Sequence, residues 1–226
     1  MNETINFYNS IIRGMKNNIR YSTNNRIFFK ESIADHIFAL SALVRLYSTK
    51  HDLDLDVNQS INIAFTHDLG EFLEGDVCAA SVVHGDISLD EKDEMEHKAW
   101  TQIKQGLIGN ELYDYWKEYN SQETIEAKYV KTCDKLEALL HMTSMDSNKG
   151  FRPKKFWRRH GLIEKDYDSI VKYADKYMKV FVESNVKGNI QGFRNELGSI
   201  KLILKKIFKE LNIIWKEEYN YAINPD

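Results

Sequence analysis

The spacing of apolar positions predicts helix along nearly the whole chain. Residues 4–17 place Ile5, Tyr8, Ile12 and Met15 at helical intervals, and the run NNIRYSTNNR then breaks the pattern. A second helix is predicted from Ser32, whose hydroxyl can cap it together with Asp35, through Tyr47, with Ile33, Ile37, Leu40 and Val44 as its buried stripe. After the polar connection HDLDLDVNQS, residues Val57, Ile61, Ala64 and Phe65 carry a third helix into THDLGEFLEGD, residues 66–76. The chain turns irregular through VCAASVVHGD and regains helical spacing from about Asp90, with Met95, Ala99 and Ile103 inside. A long helix is predicted from Ser121 as its cap, burying Ile125, Tyr129, Cys133, Leu136 and Leu140, and another carries Ile170, Ala174, Tyr177 and Phe181. In the last helix Phe193, Leu197, Ile200, Leu204, Ile207, Leu211 and Ile214 alternate steps of four and three, a heptad seam. Leu202, Ile203, Phe208, Ile213 and Trp215 broaden it, which favours packing inside a bundle over a two-stranded coil, with a homodimer as the other reading.

Composition agrees with one all-α globular domain. The 226 residues are 42% hydrophobic and 29% charged, enough for a sizeable core, and only two prolines interrupt them. A net charge of −3 removes any global case for nucleic acid or a membrane surface as partner. Positive charge is concentrated in KGFRPKKFWRRHG, residues 149–161, read first as a solvated loop whose aromatics dock on the core and second as a phosphate-binding patch. Cys78 and Cys133 make neither a disulfide scaffold nor a metal finger, the N-terminus MNETINFYNS lacks the features of a signal peptide, and no run approaches the roughly 18 apolar residues of a membrane span. The expectation is a cytoplasmic protein.

Candidate chemistry begins at His67 and Asp68. Adjacent imidazole and carboxylate groups suit Mn²⁺, Fe²⁺, Co²⁺, Ni²⁺ or Zn²⁺, although such a pair by itself is more often a cap or a surface pair. If the helix continues, Ile63, His67 and Glu71 share one column and Ala64, Asp68 and Phe72 the next, so Glu71 approaches the same inward surface. His36 lies in line with Leu40 and Leu43 on the preceding helix, which a short connection would turn antiparallel, and it becomes a third candidate ligand. Asp134 falls between Val130 and Ala138 and needs a partner if buried, whether a metal, Lys131, Lys135 or water. His51 is expected to be exposed, and His84 and His97 flank the site as tests for a second metal. Arg20 and Tyr21, read alone as surface residues, also offer a two-pronged grip on an oxyanion and a ring that stacks on a base or sugar.

The order His36, His67-Asp68, Asp134 on predicted helices resembles the HD-domain metal-dependent phosphohydrolases, and Arg20-Tyr21, SIADH, HDLGEFLEGD and CDKLEALL are similar to the 5′-deoxynucleotidase branch. The resemblance covers about residues 5–145 and implies an HD-type helical bundle over residues 1–150; residues 151–226 extend beyond it and are expected to form a C-terminal helical extension packed on that core. It implies that His36, His67, Asp68 and Asp134 bind one divalent ion (Mn, Co, Mg, Fe, Ni or Zn) and that Glu71 handles protons for the attacking water. Arg20 would hold the phosphate of a small nucleotide, Tyr21 would take the place of a substrate-binding aromatic, and Asp76 would lie against the sugar 3′-hydroxyl. The implied reaction is hydrolysis of a nucleoside 5′-monophosphate, most simply a deoxynucleotide. The alternatives are cleavage of a nucleoside di- or triphosphate or a signalling nucleotide, and metal-dependent nucleotide binding without turnover. Glu74 and Cys78 depart from the branch pattern, and the spacer from Arg20 to His36 is one residue longer, departures that bear on substrate choice.

Overall fold

The computed structural model describes residues 2–20, 31–73, 87–106, 108–147 and 164–223. Tyr21, Glu74, Asp76, Cys78, His84 and the basic run 149–161 lie outside them. The described elements are α1 (Glu3–Phe7) and α2 (Arg13–Asn17), joined by a π turn at Tyr8–Ile12, then α3 (Ile33–Lys50), α4 (Val57–Thr66), a 3-10 turn (Leu69–Phe72), α5 (Leu89–Ile103), α6 (Gly109–Ser121), α7 (Ile125–Ser147), α8 (Glu164–Val182), α9 (Ile190–Leu211) and a 3-10 turn at Glu217–Asn220. The fold is all-α, and no strand occurs among the described residues.

Local chemistry sets the helix starts. Ser32 and Asp35 form the predicted reciprocal cap on α3, with Asp35 N donating to Ser32 Oγ at 3.1 Å and Ser32 N to the Asp35 carboxylate at 3.0 Å. Such a cap is worth about 1 kcal/mol. Asp56 caps α4 by accepting from Gln59 N at 2.9 Å. Ser121 does not cap the long helix as its spacing suggested. It ends α6, a helix the sequence reading left unassigned; Gln122 then takes a left-handed conformation at φ 53°, and Thr124 caps α7 through Ala127 N at 3.2 Å.

Two apolar cores meet at the centre of the bundle. The larger joins Leu40 and Val44 of α3, Ile63 and Ala64 of α4, Tyr129, Cys133 and Leu136 of α7, and the inner faces of α8 and α9. The smaller joins Ile11 and Met15, Ile33 and Ile37, Leu69 and Phe72, and Ala99, Trp100, Leu112 and Trp116 of α5 and α6. His36 therefore follows Ile33 of one core and precedes Leu40 of the other, and His67 lies between Ala64 and Leu69 in the same way. Polar ligands on a single helix turn can be buried there without removing an apolar side chain from either core.

The heptad seam packs internally: Phe193, Leu197, Ile200, Leu204 and Ile207 are all buried against the larger core. It stops sooner than predicted, because Asn212 ends α9 in the left-handed region and Ile214 beyond it is 73% exposed. His51 is a second correction. It is buried at the end of α3, where its Nε2 lies 2.9 Å from Glu196 of α9, a partner too distant in sequence for a local reading to supply.

Candidate metal centre

Three helices deliver the predicted ligands to one point. α4 packs back against α3, and α7 lies against both. His36 Nε2 and His67 Nε2 lie 3.3 Å apart, Asp68 Oδ2 is 3.0 Å from His67 Nε2 and 3.6 Å from His36 Nε2, and Asp134 Oδ1 is 3.5 Å from His36 Nε2. Ligands held about 2.1 Å from a common ion are separated by roughly 3.0–3.4 Å in octahedral or tetrahedral arrangements. His36, His67 and Asp134 form a group whose ligand atoms all lie within 4.8 Å of one another and could hold a cation, and Asp68 borders it through the two histidines. His36, His67 and Asp134 are buried, and Asp68 keeps partial access to solvent at 18% side-chain exposure.

The other ring nitrogens settle which atoms face inward. His67 Nδ1 lies 2.8 Å from the Ala64 carbonyl, an acceptor only, so that nitrogen carries the proton. His36 Nδ1 lies 2.8 Å from a Glu137 carboxylate oxygen and donates there. Both Nε2 lone pairs then point at each other, an arrangement that needs a cation between them. A proton can fill that role. Burial and Arg20 push His36 down, but its bonds to Asp134 and Glu137 outweigh them and raise it to about 9.

The carboxylates are held ionised. Burial opposes the charge of Asp68, but the imidazole of His67, the Arg20 guanidinium and His36 together keep its carboxyl well below the usual range. Asp134 is likewise desolvated and held low by Lys135 and His36. Its Oδ2 accepts from Tyr119 Oη at 2.8 Å and Lys135 Nζ at 2.7 Å, which leaves Oδ1 for the cluster. Burial and the Asp134 charge push the Tyr119 hydroxyl far up, so it remains a donor. Tyr119 and Glu137 were missed by sequence reasoning: Tyr119 sits on the unassigned α6, and Glu137 follows Asp134 by one turn, a spacing that was available as a signal.

Arg20 joins the site, its Nη1 donating to Asp68 Oδ2 at 2.9 Å. Glu71 is buried, on a 3-10 turn and not in the predicted helical column, because α4 ends at Thr66 and the chain continues into the turn Leu69–Phe72. That turn is clamped from both sides. Asn18 Nδ2 donates to the carbonyls of Glu71 and Phe72, each at 2.9 Å, and a side chain at Gly14 would meet Phe72 O at 2.9 Å. From the other side Trp100 approaches Gly70 so closely that an added Cβ would lie 3.0 Å from its Nε1. His97 is exposed and stacks edge-on against Trp116, away from any ligand role.

A second acidic group lies beside this centre. Glu31, Glu137 and His141 place ligand-type atoms within 4.8 Å of one another. Burial and the Glu137 charge raise Glu31 to about 7 despite Arg20.

The chain is 31% identical over 119 residues to the human 5′-deoxynucleotidase HDDC2, covering 51% of this chain and 55% of that protein. It is 34% identical over 119 residues to the 5′-deoxynucleotidase hdd1 of Schizosaccharomyces pombe, covering 50% and 57%. The alignments thus span about half the length of these curated relatives. Among solved structures, a predicted metal-dependent phosphohydrolase from Magnetospirillum magnetotacticum superposes with a TM-score of 0.66 over 94% of this chain and 95% of that one, at 17% identity, a likeness of fold. The family model described as HD domain matches residues 12–170, which take in Arg20, both histidines and the helix carrying Asp134, and the chain belongs to the HD domain family.

Proposed function

We propose that the protein is a metal-dependent phosphohydrolase that cleaves nucleoside 5′-monophosphates, deoxynucleotides foremost, to nucleoside and phosphate. One observation carries this reading: His67 Nε2 and one carboxylate oxygen each of Asp68 and Asp134 lie within 3.6 Å of His36 Nε2, beside a guanidinium bound to Asp68. The 5′-deoxynucleotidase relatives, about one third identical over half of the chain, support it.

His36, His67, Asp68 and Asp134 would hold the ion, and their N/O donor set accommodates Mn²⁺, Co²⁺, Fe²⁺, Ni²⁺ or Zn²⁺, or Mg²⁺ with retained water. When bound, such an ion polarises a phosphoryl oxygen and acidifies the attacking water. Arg20 turns from Asp68 towards the phosphoryl oxygens and shares the charge that develops on them. Glu71, fixed on its clamped turn, takes the proton of the attacking water and returns it to the leaving 5′-oxygen as the ester bond breaks. Tyr21 and Asp76 are assigned to the base or sugar and to the 3′-hydroxyl. Residues 1–150 form the catalytic core and 151–226 the extension, a division supported by the packing of α8 and α9 on α7. The setting is cytoplasmic; no helix among the described residues is long and apolar enough to cross a membrane.

A second reading has one specific support. Lys135 lies on Asp134 at 2.7 Å and Lys131 stands 4.2 Å over the Tyr119 ring, so further cations border the centre and would suit a di- or triphosphate. Product analysis separates the two. Metal-stripped protein resupplied with Mn²⁺, Co²⁺, Mg²⁺ or Zn²⁺ should release phosphate from deoxynucleoside 5′-monophosphates. Release of pyrophosphate or triphosphate from longer nucleotides, with monophosphates untouched, would replace this reading by the second.

A further inference from the structure

We propose that Glu31, Glu137 and His141 form a second divalent-cation site, distinct from the four-residue centre and joined to it through Glu137. The inference rests on these side chains and stands whether or not the protein cleaves nucleotides.

Glu137 and His141 are four residues apart on α7 and project from one face, the spacing at which two side chains reach one ion. Glu31 comes from a separate segment pinned by its own backbone: Arg20 N donates to Glu31 O at 2.7 Å, and the next residue, Ser32, caps α3. The ligand-type atoms of the three lie within 4.8 Å of one another. Two carboxylates and an imidazole favour Mn²⁺, Fe²⁺ or Zn²⁺ over an all-oxygen ion such as Ca²⁺.

The charge balance calls for a proton or a metal cation. The Glu31 and Glu137 side chains are only 8% and 7% exposed, and buried carboxylates side by side are costly unless compensated. Glu137 uses Oε2 to accept from His36. Glu31 Oε2, buried and directed into the cluster, accepts no hydrogen bond among the described residues. Its neighbours are His141 Nδ1 at 3.8 Å and Arg20 Nε at 3.9 Å, both beyond hydrogen-bond distance. His141 is suited to ligation, since burial holds its imidazole below the ordinary pKa and so neutral. A cation here would compensate Glu31, free Arg20 for its contact on the Asp68 side, and fix the carboxylate that orients His36.

Mn²⁺ itself is the probe. Metal-stripped wild type, Glu31→Gln, His141→Ala and Asp68→Ala proteins are equilibrated with Mn²⁺, and the bound metal is counted by elemental analysis and by electron paramagnetic resonance. The wild type should bind two equivalents, and Glu31→Gln and His141→Ala should each bind one, with the affinity of the lost site falling at least ~10-fold. The equivalent each variant retains shows that it is folded. Asp68→Ala should lose the other equivalent and keep this one. A wild type that binds a single equivalent overturns the proposal. So does full retention in both Glu31→Gln and His141→Ala, or loss of both equivalents in a variant with an unchanged circular dichroism spectrum.

Discussion

Two buried polar assemblies in this protein look alike in burial and differ in how their hydrogen-bond capacity is used. In the C-terminal region Lys201 is fully buried, and its ammonium bonds to Asp175 and to the carbonyls of Tyr219 and Tyr221, the latter two at 2.9 and 3.0 Å. An ammonium has three protons, and all three are used. Burial pushes Asp175 up to about 6 with Lys201 beside it, the mark of a pair whose members stabilise each other at a desolvation cost. The candidate metal centre has the opposite balance: lone pairs on both Nε2 atoms and on Asp68 and Asp134 exceed the donors supplied among the described residues. A saturated cluster holds the fold, and one with surplus lone pairs is built to receive a cation.

The sharpest way to break that contrast is to remove a proposed ligand and, separately, the residue proposed to handle the proton. Asp68→Ala should abolish binding of the catalytic metal and activity together, whereas Glu71→Ala should keep the metal and lose ~10²–10⁴-fold in rate, seen by metal analysis beside steady-state kinetics. Equal metal loss in both would reassign Glu71 as a ligand. In the saturated cluster the loss should fall on stability. Lys201→Met should cost about 3–5 kcal/mol in denaturant unfolding, because it leaves Asp175 buried without its partner, and the double variant with Asp175→Leu should recover most of it. Metal binding by the folded fraction should be unchanged in both.

Smaller effects probe the surroundings of the centre. Tyr119→Phe removes one of the two donors on Asp134 Oδ2 and should weaken metal affinity ~10–100-fold by calorimetric titration. Glu31→Gln should change the pH dependence of stability in metal-free protein. Between its ordinary value of 4.5 and its folded value of about 7, the unfolded chain has released the Glu31 proton while the folded chain retains it. Stability therefore falls as pH rises through that window, and the penalty is complete above it. The variant should melt a few degrees higher than wild type at pH 8 and show no gain at pH 4, on a scale of roughly 2–4 °C per kcal/mol. A gain that persists at pH 4 would remove ionisation as its cause.

The sequence made much of this legible because helical spacing is a local signal. The stripes of α3, α7 and α9 and the order His36, His67-Asp68, Asp134 follow from intervals of three and four. What escaped depends on contacts between distant segments. Glu31 lies at the edge of irregular chain, yet it faces His141 of α7 once the bundle closes. Tyr119 carries no ligand signature and acts only through the hydroxyl it sends to Asp134. The helical column expected to carry Glu71 breaks after α4, and the turn that bears it is held by Asn18, Gly14 and Trp100 from distant segments. His51 read as exposed because the polar loop around it gives no hint of Glu196.

Metal-dependent turnover at the open cluster is the activity proposed for this protein. The most direct test is to titrate Mn²⁺ into metal-stripped protein while following phosphate release from a deoxynucleoside 5′-monophosphate. The predicted result is no release before metal is added, a rate that rises with bound Mn²⁺ to a plateau, and a flat trace for Asp68→Ala. Turnover by fully stripped protein at the plateau rate, or full Mn²⁺ occupancy without phosphate release, would contradict it.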